Sequence, residues 1–196
     1  MNEHQWDELL RIKTSGRDDS HSDRYRFPYE PTPYRVLERL AMGGYIGKKN
    51  VLLDYGCGKG RVDFFLAFQL RCCCIGVEYD NRIYASACRN KERAVSGSRV
   101  EFAHISAETY PVPVTVDRIY FFNPFSVELL QKVIWQILDS FYKEPREVLL
   151  FFYYPSDEYL AQLMSVDEML FLDEIDCRDL FEGNDSRERI IIFQIG

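Results

Sequence analysis

The feature that most constrains this sequence is a glycine-rich stretch, D-Y-G-C-G-K-G-R, at residues 54–61. It follows an apolar run at 51–53 and opens a helical pattern at 60–70. A second apolar run, at 72–77, ends in Glu78. A strand, a glycine turn, a helix and a second strand that ends in a carboxylate form a unit that binds nucleoside-containing cofactors.

The spacing of the glycines narrows the choice of cofactor. Dinucleotide enzymes usually carry G-x-G-x-x-G, whereas this chain has G-x-G-x-G with Asp54 two residues before the first glycine. This version resembles the first motif of class I S-adenosylmethionine (SAM) methyltransferases. The resemblance implies SAM binding through Asp54, Gly56, Gly58, Gly60 and Glu78. Glycines permit the turn and the close approach of a ligand, and the Glu78 carboxylate can accept hydrogen bonds from two ribose hydroxyls.

Apolar runs alternate with helical patterns along the rest of the chain. Strands are predicted at 51–55, 72–78, 99–104, 117–122, 147–153, 168–176 and 188–195, and helices near 60–70, 80–95, 127–142 and 157–165. The last two strands are joined without a helix, which requires an antiparallel pair. The prediction is an α/β, Rossmann-like fold with a seven-stranded, mostly parallel sheet and an antiparallel last strand.

An N-terminal helical extension precedes this sheet. A short amphipathic helix is predicted at 4–13, and a second one, capped by Thr32, runs to about residue 42. We therefore divide the chain into residues 1–48, an extension and lid that is not independent, and residues 49–196, a SAM-binding methyltransferase domain.

Two further strand ends belong to the predicted site, because ligands of open α/β sheets bind at the carboxyl ends of the strands. After the third strand, SAM methyltransferases usually carry an Asp that binds the adenine amino group. Ser106 stands there in this chain, so backbone groups at Ser106 and Ala107 are the candidates for reading the adenine edge.

The fourth strand ends in Asn123-Pro124-Phe125, which resembles the N-P-P-Y/F loop of enzymes that methylate amide or exocyclic nitrogens. The resemblance implies that Asn123 and the Pro124 carbonyl hold the target N–H group and that Phe125 flanks it, with Asn123 beside the cofactor. The alternative is that Asn123-Pro124 only caps the next helix. Tyr153 and Tyr154, at the end of the fifth strand, either line an acceptor pocket or are edge packing.

Residues 25–155 as a whole resemble uncharacterised bacterial class I methyltransferases with D-x-G-C-G-K-G-R and F-F-N-P-F motifs. These are distantly similar to the nucleosomal histone-lysine methyltransferases built on this fold. The resemblance implies that residues 29–34, including Tyr29 and Thr32, fold over the cofactor. It does not imply a histone substrate.

The composition of the chain indicates which partners the protein can bind and where in the cell it is found. The net charge is −7, and in residues 157–188 acidic side chains far outnumber the arginines Arg178 and Arg187. This acidic surface makes a nucleic-acid partner unlikely; it is either a solvated face or an attraction for a basic substrate. The six cysteines show no zinc spacing, so we expect buried, reduced thiols and no metal. Without a signal sequence or an apolar run of membrane length, we expect a cytoplasmic protein with no membrane contact.

The sequence thus predicts a SAM-dependent methyltransferase whose acceptor is unidentified, with a nitrogen on a small molecule or protein favoured. The alternative is a non-catalytic SAM-binding module that acts through partner contacts. An NAD-dependent oxidoreductase is the third reading, which the glycine spacing disfavours. A P-loop kinase is excluded because G-x-x-x-x-G-K-[ST] is absent.

Overall fold

A computed structural model describes residues 1–16 and 30–196 of the chain. The helices are α1 Glu3–Leu10, α2 Tyr34–Met42, α3 Arg61–Leu70, α4 Asn81–Lys91, α5 Val127–Lys143 and α6 Asp157–Met164. The strands are β1 Val51–Tyr55, β2 Cys73–Glu78, β3 Val100–His104, β4 Arg118–Phe121, β5 Val148–Tyr153, β6 Met169–Asp176 and β7 Arg189–Ile195. Short 3-10 turns occur at Gly97–Arg99, Ala107–Thr109 and Arg178–Leu180.

The strands form one seven-stranded sheet in the order β3-β2-β1-β4-β5-β7-β6. The pairs among β1 to β5 are parallel, while β7 lies antiparallel between β5 and β6. The order reverses at β1, so β1 and β4 diverge from the same point and leave a crevice at their carboxyl ends. The predicted fold class is confirmed.

Two hydrophobic layers cover the sheet. On one face, side chains of α1, α2 and α3 pack together with Tyr120 and Phe151. On the other face, α5 and α6 pack on Leu53, Phe121 and Phe152. Every residue of β5 is buried, as its uniformly apolar sequence V-L-L-F-F-Y requires for a strand covered on both faces. The edge strand β6 is mostly exposed.

The N-terminal segment packs into the first of these layers. Trp6 stacks on Tyr34 at 5.7 Å between ring centroids and meets Phe65 of α3 edge-on at 4.9 Å. Leu10 is fully buried in the same cluster. Trp6, Leu10 and Ile12 are thus part of the core that lies beside α3.

A buried polar network fixes this packing around Arg61, the last residue of the glycine motif. Its Nε donates to Thr14 Oγ1 at 2.7 Å, and a guanidinium nitrogen donates to Glu3. The guanidinium lies 4.4 Å over the Tyr34 ring. Asp7 accepts from Thr14 and from Tyr34 Oη, each at 2.6 Å. Because Arg61 is 3% exposed, these partners are what satisfy its charge.

Several local predictions need correction. Helix α1 ends at Leu10 rather than at 13, since Arg11 has φ 60° and stops it. Helix α4 ends at Lys91 rather than at 95. Thr32 does not cap α2: the capping position is Pro33, and the buried Thr32 hydroxyl bonds Tyr120 Oη at 3.1 Å.

The thiols are all free, as predicted, but they are not all buried. Cys57, Cys72, Cys74 and Cys177 are buried, Cys88 is half-buried, and Cys73 is exposed. Cys73 differs from Cys72 and Cys74 because neighbouring residues of a strand point to opposite faces of the sheet.

Candidate functional site

The glycine turn lies at the carboxyl end of β1 and adopts a left-handed backbone at each of its glycines. Gly56, Gly58 and Gly60 have φ of 73°, 57° and 84°. The turn is fixed on β2 by Val77, whose carbonyl accepts from Gly56 N at 2.9 Å and from Cys57 N at 3.1 Å. Left-handed φ is free of steric cost only for glycine, so the motif is required by the geometry of the turn.

Glu78 joins this turn to the end of β2. One carboxylate oxygen accepts from Gly58 N at 3.1 Å and the other from Asp80 N at 2.8 Å. Burial raises the pKa of Glu78, and the backbone N–H donors of Asp80 and Gly58 oppose that rise. Each carboxylate oxygen has a second lone pair, so the group can accept from a ligand while it holds the turn.

Asp54 does not lie on the rim with Glu78. It is 3% exposed beneath the turn, and its carboxyl lies close enough to that of the fully buried Asp63 of α3 for two negative charges to repel each other. Neither oxygen of Asp63, nor Oδ2 of Asp54, has a hydrogen-bond partner in the described chain. Burial raises the pKa of both carboxyls, that of Asp63 to about 7.

A glycine on β2 makes room for the turn. A Cβ atom at Gly76 would lie 2.6 Å from Cys57 Sγ and 2.7 Å from Phe102 Cδ1. Cys57 therefore lies directly on the Gly76 backbone, which brings the turn down onto the sheet. Sequence reasoning missed this residue, although a lone glycine inside a strand is the recognised sign of a close approach.

The third strand end contributes Ser106 and Ala107. Ser106 precedes the short 3-10 turn that begins at Ala107, and its hydroxyl donates to Glu108. Ala107 is buried, whereas Ser106 is half-buried. Their predicted contact with adenine stays a prediction.

Asn123 and Tyr154 lie at the ends of the neighbouring strands β4 and β5 and are joined to each other. Both have left-handed φ, 38° for Asn123 and 54° for Tyr154. Asn123 Nδ2 donates to the Tyr154 carbonyl. Tyr154 N donates to the Arg189 carbonyl at 3.0 Å, and the Tyr154 hydroxyl donates to Asp185 at 2.6 Å. The amide nitrogen of Asn123 thus has a structural partner, and its oxygen Oδ1 is the atom left to accept from a ligand.

Phe125 does not face the site. It is 3% exposed and packs edge-on against Tyr55 and Phe121, with centroids 6.4 Å and 6.2 Å away. Its carbonyl accepts from the Tyr159 hydroxyl. The chain turns at Asn123 and Pro124 so that the ring enters the core, and the predicted stacking of Phe125 on an acceptor does not fit this packing. The capping alternative does not hold either, since Ser126 caps α5.

Pro124 brings the glycine turn and the β4 end together. A Cβ atom at Gly56 would lie 2.5 Å from Pro124 Cβ. A ligand held by the glycine turn is therefore next to the loop that carries Asn123.

A cavity of about 650 Å³ opens beside Asn123. The described residues that line it are Glu30, Pro33, Phe122, Asn123, Ser126, Val127, Glu128, Tyr153, Tyr154, Ser156, Glu158, Tyr159, Phe181 and Glu188. Both predicted tyrosines thus face a cavity. The 2% exposed Tyr153 donates its hydroxyl to Glu188 at 2.6 Å.

Sequence reasoning found only part of this lining. Phe122, whose ring lies 4.7 Å from that of Tyr153, belongs to the strand motif but was not singled out. Glu158, Phe181 and Glu188 come from the acidic stretch 157–188, whose composition was the available signal. Tyr29, predicted to fold over the cofactor, lies outside the described residues.

Comparison with known proteins places the chain by fold. No protein-family model and no curated protein matches it. An RNA methyltransferase from Salinibacter ruber, solved with S-adenosyl-L-homocysteine, is similar over 85% of this chain and 94% of its own, with 18% identity and a TM-score of 0.60. A TehB-like SAM-dependent methyltransferase from Corynebacterium glutamicum matches over 98% and 95%, with 14% identity and a TM-score of 0.60.

A third similar structure is a geranyl diphosphate methyltransferase in complex with GPP and sinefungin. It matches 83% of this chain and 75% of its own, with 13% identity and a TM-score of 0.54. Identities this low establish the fold alone, which this chain shares with these three methyltransferases. RNA and geranyl diphosphate have little chemistry in common, so the fold does not select an acceptor.

Two absences are observed in the described part of the chain. None of its helices combines the length and apolar character that crossing a bilayer requires. Nor does it bring three or more His, Cys, Asp or Glu side chains together as metal ligands.

Proposed function

We propose that this protein is a SAM-dependent methyltransferase. The observation that carries the proposal is the contact between the glycine turn and the β4 loop at Gly56 and Pro124. It brings a nucleoside-binding turn next to a cavity that can hold an acceptor. The acceptor is unidentified, and a nitrogen on a small molecule or protein is favoured.

The residues present fit SAM. The glycines of the turn carry no side chain that would keep a ligand from its backbone. Their own N–H groups are already bonded, to the Val77 carbonyl, the Glu78 carboxylate and the Cys57 carbonyl. Glu78 retains lone pairs for two ribose hydroxyls. Ser106 and Ala107 remain the candidates for the adenine edge, and Tyr29 and Thr32 for the cover, although the Thr32 hydroxyl already bonds Tyr120.

SAM would supply a methyl group on a positively charged sulfur, which needs no activation by the protein. The chain's own task is to align the acceptor and to exclude water. In this proposal, Asn123 Oδ1 accepts a hydrogen bond from an acceptor N–H group, since Asn123 Nδ2 is bonded to the Tyr154 carbonyl. Phe122, Tyr153 and Tyr154 would give that group an apolar surrounding.

The negative charge of the chain disfavours one class of acceptor, nucleic acids. The net charge of −7 and the glutamates of the cavity disfavour the phosphate backbone of a nucleic acid. An RNA methyltransferase is among the structural neighbours, so RNA is kept in the acceptor test.

Calorimetry with SAM and with NAD tests the cofactor. We expect SAM to bind more tightly than NAD, and Glu78→Gln to weaken SAM binding at least ten-fold, since hydrogen bonds to a charged group contribute about 1.5–3 kcal/mol each. Glu92→Gln, the same change at an exposed residue after α4, is the control and leaves SAM affinity unchanged.

Tighter binding of NAD than of SAM would overturn the proposal. A second assay incubates the protein with methyl-labelled SAM and cell lysate and asks which fraction takes up the label. SAM binding without any transfer would support the non-catalytic module instead.

A further inference from the structure

Three carboxyl groups lie around the glycine turn: Asp54 on β1, Asp63 on α3 and Glu78 at the end of β2. Burial raises the pKa of Asp54, and the charges of Asp63 and Glu78 raise it further. Burial also raises the pKa of the Cys57 thiol within the turn, and the charges of the same three carboxyls add to that rise. The backbone of the turn is therefore exposed to a negative field whenever these groups are ionised.

Two of the three, Asp54 and Asp63, have no partner that would satisfy a negative charge. Both are buried, and neither oxygen of Asp63, nor Oδ2 of Asp54, has a hydrogen-bond partner in the described chain. No ion pair among the described residues includes either of them. Arg61, the one cation of α3, is bonded to Thr14 and Glu3 instead. Because a buried charge is costly without a partner, this carboxyl pair points to a positive group that a ligand brings.

Few of the groups around the carboxyl pair titrate near neutral pH. Burial raises the pKa of Cys57, Cys74 and Tyr120, so these groups stay uncharged. A hydrogen bond with Cys74 lowers the pKa of Cys72, which makes that thiol the rival source of a proton. The pair faces Cys57 of the turn, Cys72, Cys74 and Glu78 along or beside β2, and Tyr120 of β4, while Glu3, Asp7 and Tyr34 of α1 and α2 face Arg61 and Cys88 of α4 faces Cys57.

The two forms of the proposed cofactor differ by one charge. SAM carries a sulfonium, whereas S-adenosylhomocysteine (SAH) has a neutral thioether at the same place. A negative group beneath the turn attracts the sulfonium and not the thioether. Burial raises the pKa of Asp63 to about 7, so below that pH the pair gains this charge by releasing a proton. A nearby cation lowers the pKa of a carboxyl, and SAM binding and proton release therefore favour each other.

We propose that the carboxyl pair of Asp54 and Asp63 is a specificity element of the cofactor site, whose ionised form favours SAM over SAH. This inference rests on the proposed methyltransferase function. The pair gives a proton to solvent when SAM binds and takes one back from solvent once the sulfur is neutral. Relative to the product form of the cofactor, the protein thus holds the substrate form more tightly as the pH rises.

Proton release is measured first, on the wild-type protein and without turnover. Calorimetry at pH 6.0 in buffers of different ionisation enthalpy counts the protons that SAM, SAH and sinefungin release on binding. Sinefungin carries an amine-bearing carbon in place of the sulfonium, so it tests the charge and not the sulfur. We expect SAM and sinefungin each to release about half a proton more than SAH. At this pH the α-amino groups of all three ligands are protonated, and equal proton release by the three would overturn the inference.

The ratio of the two Kd values, SAH over SAM, is then measured at pH 5.5 and pH 7.5. We expect this ratio to rise at least three-fold more in the wild type than in Asp63→Asn, a comparison in which the titration of the ligands themselves cancels. Asp139→Asn, at an exposed position of α5, is the matched control and keeps the full rise. Cys72→Ser also keeps it, and loss of the rise in that variant would overturn the inference by assigning the proton to the thiol.

The same measurements separate the inference from the proposed function. Binding of both SAM and SAH with a Kd ratio that is independent of pH would overturn the role of the carboxyl pair and leave the methyltransferase assignment intact. Failure of the wild-type protein to bind either ligand would refute the proposed function itself.

Discussion

Two loops at the carboxyl edge of the sheet reach the same left-handed backbone by different means. The turn after β1 uses Gly56, Gly58 and Gly60, for which this conformation carries no steric cost. The ends of β4 and β5 use Asn123 and Tyr154, for which it costs about 1–2 kcal/mol each. There the cost is offset by tertiary bonds, of which the donation from Asn123 to the Tyr154 carbonyl is the central one.

This difference between the two loops shows which residues tolerate substitution. The glycine turn depends on the absence of side chains and is intolerant of any addition. The Asn123–Tyr154 pair depends on specific hydrogen bonds, and its backbone keeps this conformation only while those bonds persist. Strain kept at a ligand site by its surroundings is a common way of positioning a functional group.

The largest effect is expected for Gly56→Ala. The new Cβ would lie 2.5 Å from Pro124 Cβ at φ 73°, so clash and backbone strain add. We expect the free energy of unfolding to fall by about 3 kcal/mol and the SAM Kd to rise at least ten-fold. Urea denaturation and calorimetry measure the two quantities.

Gly44→Ala is the matched control for this change. Gly44 has φ 79° and nothing within 4 Å of its added Cβ, so it has the strain without the clash. We expect a loss of about 1 kcal/mol and an unchanged SAM Kd. Equal losses in the two variants would mean that the contact with Pro124 does not position the turn.

A smaller effect is expected from the acid pair beneath the glycine turn. Burial raises the pKa of Asp63 to about 7, whereas in the unfolded chain it is about 3.9. At pH values between these two pKa values, Asp63 keeps its proton in the folded protein but has released it in the unfolded chain. Stability from this group is therefore greatest below about pH 4 and is lost as the pH rises to about 7.

Asp63→Asn removes this titration and supplies an amide donor to Asp54. We expect the decline in unfolding free energy between pH 5 and pH 8 to shrink by about 2 kcal/mol relative to the wild type. Denaturation at both pH values measures it, with the exposed Asp139→Asn as the control. Parallel pH profiles for Asp63→Asn and wild type would argue against a raised pKa of Asp63 in the folded protein.

The smallest effect separates two variants of Asn123. Asn123→Gly loses the bond to Tyr154 but tolerates φ 38°, whereas Asn123→Ala loses the bond and is strained. We expect the alanine variant to be about 1 kcal/mol less stable than the glycine variant. Both should lower turnover far more than SAM affinity, because the proposed function assigns Asn123 Oδ1 to the acceptor and not to SAM. Equal stability of the two variants would mean that the left-handed backbone at residue 123 has no steric cost for a residue with a side chain.

The fold was largely predictable because its signals are local. Apolar runs define the strands, and the polar link at 182–186, which has no room for a crossover helix, predicts the antiparallel pair. The glycine turn was predictable for the same reason, since left-handed positions select glycine in the sequence itself.

The rest of the site depends on contacts between distant residues. Arg61 is bonded to Thr14 and Glu3, which are 47 and 58 positions away, so nothing near it in the sequence marks its burial. The ring of Phe125 enters the core because of the backbone turn at Asn123, whereas Phe122, three positions earlier, faces the cavity. The motif predicts which residues form the loop, but not the direction of their side chains.

The position of β7 has a consequence for how the protein is made. β7 is the last strand along the chain, yet it lies between β5 and β6. During synthesis, β5 therefore leaves the ribosome with its sequence V-L-L-F-F-Y presenting an open edge until residues 189–195 follow. An unpaired apolar strand is a template for association with other chains. The nascent protein is thus most prone to aggregate just before its sheet is complete, and slow translation after residue 153 would lengthen that interval.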